Sequence, residues 1–191
     1  MIPKKLSGVV LCGGESIRMG TDKGLIPIGK LHWSTHIAAK LEALSLPVVV
    51  SVNSVQQQAY EALFSAEQLI ADQVQIGGPL KGILSVHRQL PENDLLLVAC
   101  DLIDLDLPTL QNLITVQNDA PGFDFYIYQH GRFIEPLCGI YSTKGLTEVL
   151  QQALSGQLTD LSLHGLLERG HTLRIPVDDL SGFRNYNWKE D

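Results

Sequence analysis

Residues 11–23 combine glycines with cationic side chains and carry the strongest chemical signal in the sequence. The segment reads Leu-Cys-Gly-Gly-Glu-Ser-Ile-Arg-Met-Gly-Thr-Asp-Lys. Glycine lets the backbone approach phosphate oxygens and direct N–H groups at them. Arg18 offers a planar fork of donors and Lys23 a compact point charge, which both suit a polyphosphate. Because the spacing matches neither a P-loop nor a GxGxxG fingerprint, we interpret the segment as a triphosphate-binding loop of another type, with a solvated glycine-rich turn as the alternative.

The elements that must position this loop follow from the hydrophobic pattern. The apolar run over residues 6–11 predicts a buried strand that ends at the loop. Further strands are predicted over residues 47–52, 94–100, 123–129, 134–141 and 171–177, and helices over residues 33–44, 56–64, 79–90, 107–116 and 144–154. This alternation predicts one α/β domain over residues 1–191, with a mostly parallel sheet and helices on both faces. The close spacing of the strands within residues 123–141 indicates some antiparallel pairing.

Asp101 directly follows the most apolar of these strands. In open α/β sheets ligands bind at the carboxyl ends of the strands, so we expect its carboxylate at that edge. A hard carboxylate beside phosphates is a suitable Mg²⁺ ligand. The position and chemistry of Asp101 therefore suit a Mg²⁺ ligand, with a helix-capping or loop aspartate as the alternative.

Composition limits the class of protein. The net charge of −7 argues against a general nucleic-acid binder, although local cations can still hold a small anion. The three cysteines are far apart, which fits neither a disulfide framework nor a zinc site and predicts buried, reduced thiols. We see neither a signal peptide nor an apolar run of the ~20 residues that a membrane span needs. The sequence therefore predicts a cytoplasmic protein that does not enter the membrane.

The loop also resembles a known family. Its sequence LCGGESIRMGTDKGL is similar to the pattern L-A-G-G-x-S-x-R-M-G-x-D-K-x-L of the molybdenum cofactor guanylyltransferases, which are Rossmann-like nucleotidyltransferases. Later segments resemble the family in the same order: Asp72, GGPLKG at 77–82, CD at 100–101, EPL at 135–137 and FRNYN at 183–187. The resemblance therefore extends over nearly the whole chain.

The resemblance implies roles for particular residues. Catalysis would involve Arg18, Lys23 and the metal ligand Asp101. The nucleotide site would be formed by Leu11, Cys12, Gly13, Gly14, Lys23, Asn53, Asp72 and Asp101. The acceptor would contact Lys81, Asn185 and Asn187. Local turns are the alternative for Asp72, for Asn53 and for the two C-terminal asparagines.

The implied reaction is the transfer of GMP from Mg²⁺-bound GTP to the terminal phosphate of molybdopterin, with release of pyrophosphate. Related cytidylyltransferases usually have alanine at the position of Gly13, which favours GTP over CTP here. The acceptor side departs from the family pattern, because Lys81 replaces an alanine and residues 156–164 lack arginines.

Several alternatives remain open at this stage. The enzyme could use CTP or a different phosphorylated acceptor, such as a sugar or lipid precursor phosphate. A protein that is not an enzyme is also possible, namely a non-catalytic nucleotide-binding module, since a fold alone does not determine function. Transient contact with proteins that deliver the cofactor is expected, and the sequence gives no oligomeric state.

Overall fold

A seven-stranded mixed sheet organises the computed structural model, which describes residues 5–13, 22–184 and 186. The elements in chain order are β1 (Lys5–Leu11), β2 (Pro27–Ile28), β3 (Leu31–His32), α1 (Trp33–Ala43), β4 (Val48–Val52), α2 (Gln57–Tyr60), β5 (Leu69–Ala71), α3 (Pro79–Gln89), β6 (Asn93–Ala99), α4 (Leu107–Asp119), β7 (Phe125–His130), β8 (Phe133–Tyr141), α5 (Thr143–Leu154), α6 (Leu163–Arg169) and β9 (Thr172–Pro176).

The order of strands in the sheet is β5-β4-β1-β6-β8-β7-β9. Strand β8 runs antiparallel to both of its neighbours, β6 and β7, while the remaining neighbours pair in parallel. The predicted mostly parallel sheet with antiparallel pairing inside residues 123–141 is therefore confirmed. The four strands from β5 to β6 end at the same edge, because parallel neighbours share a direction.

Helices cover both faces of the sheet, as predicted. Along β1 the side chain of Val10 packs with α1 and α4, whereas the side chain of Val9 packs on the opposite face with α3, α5 and α6. Successive residues of a strand point to opposite faces. Both faces of the strand are buried, which explains why the sequence reads as a continuous apolar run.

Helix α3 begins at a sharp turn formed by the Gly-Gly-Pro sequence. Gly78 has φ +70°, a conformation that residues with a side chain rarely adopt. Pro79 follows at the first helical position, where its missing N–H removes no intrahelical hydrogen bond. This turn fixes the first turn of α3, and with it Lys81, at the carboxyl edge of the sheet.

Some short elements lie outside the predictions. Strands β2, β3 and β5 have two or three residues each and are too short to show a period, and α6 has seven. The predicted helix over residues 56–64 was too long, since only Gln57–Tyr60 is helical and turns follow. That stretch buries few side chains, so little packing favours a longer helix.

The three cysteines are buried and free, in agreement with the prediction. Within the described residues, none of the helices has the length and apolarity to cross a membrane.

Candidate active site

The carboxyl edge of β5, β4, β1 and β6 brings together most of the predicted site. Leu11 ends β1 and Cys12 follows it, Asn53 follows β4, Asp72 follows β5 and Asp101 follows β6. The order of the strands, and not the order in the sequence, makes these residues neighbours. Four predicted site residues lie outside the described residues: Gly14, Arg18, Asn185 and Asn187.

Lys23 and Asp101, two of the predicted catalytic residues, form an ion pair. Lys23 Nζ donates to Asp101 Oδ2 at 2.9 Å, and the two side chains are 21% and 14% exposed. Lys23 begins a single 3₁₀ turn, Lys23–Leu25, directly after the glycine-rich loop. The pair therefore joins the end of that loop to the end of β6, although 78 positions separate the two residues in sequence.

Gly13 lies beside Asp72 and Asn53, two other residues predicted to bind the nucleotide. A Cβ atom added to Gly13 would lie 3.8 Å from both carboxylate oxygens of Asp72 and 3.7 Å from the backbone nitrogen of Asn53. These are ordinary van der Waals distances. A side chain at this position would therefore fit the protein and point into the space next to Asp72.

The carboxylate of Asp72 is only partly compensated. Its Oδ1 atom is buried and has no hydrogen-bond partner among the described residues, while Oδ2 lies 3.9 Å from Lys81 Nζ. Burial raises the pKa of Asp72, and the charge of Lys81 lowers it. A buried carboxylate with an unpartnered oxygen is costly in a folded protein. Such a group fits a binding site whose ligand supplies the missing partner.

Gly82 allows α3 to approach this carboxylate. A Cβ atom at Gly82 would lie 2.6 Å from Ser51 Oγ and 3.4 Å from Asp72 Oδ1. Ser51 Oγ is likewise buried without a hydrogen-bond partner in the described part of the chain. A larger residue at position 82 would displace α3, which explains the second glycine of the GPLKG sequence.

Asn53 has a clear local role. Its Oδ1 atom accepts hydrogen bonds from the backbone N–H groups of Val55 at 3.0 Å and Gln56 at 2.9 Å. Asparagine commonly stabilises turns in this way. The side-chain oxygen of Asn53 is therefore used within the turn. Contact of Asn53 with a nucleotide stays a prediction.

Glu135 is a further candidate site residue, to which the sequence analysis assigned no role. It lies on β8 and is buried, and its Oε1 atom accepts the N–H of Leu137 at 2.9 Å. Burial raises the pKa of Glu135, and the negative charge of nearby Asp101 raises it further. The ladder to β7 is irregular here, since Tyr128 pairs with Glu135 and Ile127 with Gly139. The only signal in the sequence was a glutamate in the position of the family's histidine.

The donor set at this point suits Mg²⁺. Asp101 offers a carboxylate at the edge of the sheet, and Glu135 adds a second within electrostatic reach. Mg²⁺ is usually bound through one or two carboxylates together with phosphates and water. The residues present therefore fit a magnesium ion that a triphosphate also binds.

The loop after Asp101 is held in place from two sides. Lys40 of α1 donates to the carbonyl oxygens of Ile103 at 2.6 Å and Leu105 at 2.7 Å. The hydroxyl of Tyr186 donates to Asp104 Oδ2 at 2.6 Å. Tyr186 therefore contacts the loop that follows Asp101.

The mixed sheet, with a lysine–aspartate pair and a buried carboxylate at the carboxyl ends of its parallel strands, places this chain among the α/β proteins that bind ligands at this edge. The chain belongs to the family described as MobA-like NTP transferase domain, which matches residues 8–172. It is therefore a nucleotidyltransferase, as predicted.

Similar proteins agree with this family. A probable molybdenum cofactor guanylyltransferase of Pelotomaculum thermopropionicum is 30% identical over 148 residues, which cover 78% of this chain and 68% of the relative. The molybdenum cofactor guanylyltransferase of Pseudomonas putida is 28% identical and covers 93% and 92% of the two chains. The fold matches that of molybdopterin-guanine dinucleotide biosynthesis protein A from Archaeoglobus fulgidus with a TM-score of 0.73 and 22% identity, over 93% and 86% of the chains.

Proposed function

We propose that the protein transfers GMP from Mg²⁺-bound GTP to the terminal phosphate of molybdopterin, giving molybdopterin guanine dinucleotide and pyrophosphate. The ion pair between Lys23 and Asp101 is the observation that carries the proposal. It joins a cation suited to phosphate and a carboxylate suited to a metal at the end of a glycine-rich loop. Relatives named molybdenum cofactor guanylyltransferase support the choice of substrates.

The ion pair has a direct mechanistic meaning. Without nucleotide, Lys23 neutralises Asp101, whose charge would otherwise lie beside the acidic Glu135. With nucleotide bound, Asp101 and Glu135 would hold Mg²⁺, which supplies neutralising charge to the triphosphate. Lys23 would then turn from Asp101 to the β- and γ-phosphates, where negative charge develops as pyrophosphate leaves. Arg18 is proposed to act on the same phosphates.

The transfer itself needs little acid–base chemistry. An oxygen of the acceptor's phosphate forms a bond to the α-phosphorus, and the bond from that phosphorus to the bridging oxygen of the β-phosphate breaks. The nucleophile is already anionic, so a strong general base is not required. Positioning and electrostatic stabilisation by Lys23 and Arg18 would supply most of the protein's contribution.

Recognition of the base is proposed at Gly13, next to Asp72 and Asn53. A glycine here leaves open the space that a side chain would fill, which suits the larger purine base of GTP. Gly14, Leu11 and Cys12 complete the proposed nucleotide site.

The acceptor is proposed to bind near Lys81, Asn185 and Asn187. Lys81 lies in the first turn of α3, where a cation is unfavourable for the helix dipole. A phosphate from the acceptor would give this cation a second partner besides Asp72. A cytoplasmic location and transient contact with cofactor-delivering proteins belong to the same proposal.

The test is pyrophosphate release from GTP, and separately from CTP, with Mg²⁺ and with or without molybdopterin. Release that requires both GTP and molybdopterin would establish the reaction. GTP binding without acceptor-dependent release would reject molybdopterin as the acceptor and direct the search to other phosphorylated acceptors. Release from CTP alone would reject the choice of base.

The metal role of Asp101 has its own test. In Asp101→Asn, the Mg²⁺ concentration for half-maximal activity should rise by about tenfold or more, because a neutral amide is a weaker ligand. Asp124→Asn changes a buried aspartate on the other side of the fold and serves as the control. An unchanged magnesium titration in Asp101→Asn would place the metal elsewhere.

A further inference from the structure

Gln56 connects three parts of the active-site edge through one amide group. Its Nε2 atom donates to Asp22 Oδ2 at 2.8 Å and to the carbonyl oxygen of Cys12 at 3.1 Å. Its Oε1 atom accepts the backbone N–H of Asn53 at 3.0 Å. The end of β1, the residue before Lys23 and the end of β4 are thus joined by one partly buried side chain.

Tyr60 holds the same aspartate from inside the core. Its ring is fully buried and its hydroxyl donates to Asp22 Oδ1 at 2.8 Å. The backbone N–H of Gly24 donates to the same oxygen at 3.0 Å. Burial raises the pKa of Tyr60, so the hydroxyl keeps its proton and remains a donor. Both oxygens of Asp22 are therefore occupied by groups of the fold.

Steric contacts fix the turn as closely as the hydrogen bonds do. A Cβ atom added to Gly24 would overlap the hydroxyl of Tyr60 and lie 3.2 Å from Cys12 Sγ. The carbonyl oxygen of Gly24 accepts a hydrogen bond from Ser34 Oγ at 2.7 Å. The residues on both sides of Lys23 are thus anchored, while its side chain reaches out to Asp101.

Gln56 directly precedes α2, and Tyr60 is the last residue of that helix. Among the residues of α2, Tyr60 alone is buried, and its hydroxyl points to Asp22. A four-residue helix is not stable by its own hydrogen bonds. Burial of the Tyr60 ring, its stacking on Phe64 and its hydrogen bond to Asp22 hold this short helix in place.

We propose that Gln56 and Tyr60 are positioning residues for the transfer reaction. Through Asp22 they hold Lys23 in register with Asp101 and the phosphates, and through Cys12 they hold the start of the glycine-rich loop. The inference rests on the proposed function of Lys23 in phosphate binding. We propose no direct contact between either residue and the substrate.

The primary test is Tyr60→Phe, which removes one hydroxyl and keeps the ring. kcat/KM for GTP should fall by about tenfold, the scale for losing one hydrogen bond to a charged group. The dissociation constant of Mg·GTP, measured by calorimetry without acceptor, should rise in parallel. Tyr126→Phe is the matched control, because Tyr126 is equally buried and its hydroxyl donates to the carbonyl oxygen of Ala120 at 3.0 Å, away from the site.

Gln56→Glu is a second variant, and it changes a partly buried side chain and not a core side chain such as Tyr60. The substitution preserves the shape and the acceptor for Asn53 but places a carboxylate against Asp22. We expect a loss of kcat/KM larger than that of Tyr60→Phe, because the new carboxylate repels Asp22 and can donate to neither Asp22 nor Cys12. A parental kcat/KM in Gln56→Glu would overturn the proposal.

A double-mutant cycle with Lys23→Ala separates positioning from general stabilisation. If Tyr60 acts through Lys23, Tyr60→Phe should have little further effect on Mg·GTP affinity once Lys23 is alanine. Full additivity of the two effects would overturn the proposal. Equal losses in Tyr60→Phe and Tyr126→Phe would overturn it as well, by assigning the effect to stability alone.

The proposed function fails independently of this inference. Wild-type protein that binds Mg·GTP but shows no molybdopterin-dependent release rejects the acceptor, while the binding cycle still decides the roles of Tyr60 and Gln56. Wild-type protein that does not bind Mg·GTP overturns both.

Discussion

Each end of the sheet has a buried aspartate carboxylate, and the two differ in how many hydrogen bonds they accept from the protein. At the amino end, Asp94 is the second residue of β6 and is 3% exposed. Its two oxygens accept hydrogen bonds from Gln117 Nε2 and from the N–H of Thr143, each at 2.7 Å. At the carboxyl end, Asp72 has one buried oxygen without a partner and one that lies 3.9 Å from Lys81. The first carboxylate is satisfied by the fold. The second keeps an unpartnered oxygen among the described residues, which is why we propose that a ligand binds at the carboxyl end.

The ion pairs differ in the same way. Lys23–Asp101 and Lys144–Asp124 both have an N–O distance of 2.9 Å. Lys144 is 74% exposed and Asp124 also accepts the N–H of His171, so this pair belongs to the surface of the fold. Lys23 is largely enclosed at the active-site edge. Two ion pairs with the same N–O distance can therefore have different roles, because the role depends on the burial and the neighbours of each pair.

Lys23→Ala should give the largest difference between the two ends. Turnover should fall by about 100-fold or more, the scale for removing one cation that stabilises the transition state. Lys144→Ala, the matched control, should leave turnover unchanged, because exposed ion pairs contribute little. Steady-state pyrophosphate release measures both variants. Near-normal rates in Lys23→Ala would reject its catalytic role.

Replacing the buried aspartates should affect stability in one case and binding in the other. Asp94→Asn should lower the free energy of unfolding by about 2 kcal/mol, since an amide cannot accept both hydrogen bonds. Asp72→Asn should leave it within about 1 kcal/mol of the parent, because the variant loses no hydrogen bond and removes a buried charge. Urea unfolding and GTP calorimetry on the two variants make the comparison. A similar loss of stability in both would mean that Asp72 is structural.

Gly13→Ala should change nucleotide preference without changing the fold. The added methyl group meets its neighbours at 3.7–3.8 Å, so the melting temperature should stay close to the parental value. The ratio of kcat/KM for GTP to that for CTP should fall by about tenfold, the scale for one methyl group in a binding pocket. An unchanged ratio would move base recognition away from Gly13.

The smallest effect concerns a histidine that belongs to the fold and not to the site. His87 is 2% exposed and contacts Thr147 Oγ1 at 3.1 Å, and burial lowers its pKa from 6.5. The unfolded chain therefore binds a proton that the folded chain resists, so stability should decline as pH falls below about 6.5. The decline should be shallower in His87→Gln.

Urea unfolding of both proteins between pH 7 and pH 5 measures that difference. The carboxyl groups of Asp72 and Glu135 have raised pKa values, and their contribution to stability has the opposite slope. They are present in both proteins, so the comparison of the two slopes isolates His87. Parallel slopes would show that His87 does not titrate on unfolding.

The fold was largely predictable because its strands are buried on both faces. Continuous apolar runs such as residues 94–100 identify strands, and their alternation with helices predicts the parallel sheet. Short elements such as β5 and α6 could not be predicted, since three to seven residues are too few to show a period. They form because the neighbouring strands and helices offer apolar surface for them to cover.

The candidate site also has a part that the sequence predicted and a part that only the structure revealed. The sequence alone determined which residue types suit phosphate and metal. These are the glycines of the loop, Lys23 and Asp101, whose chemistry is local and whose spacing is visible in the sequence. Only the tertiary structure decided that Glu135 lies near Asp101 and that Gln56 and Tyr60 anchor Asp22. Those relations join residues far apart in the chain, and they depend on strand order and on burial, which leave no fixed spacing in the sequence.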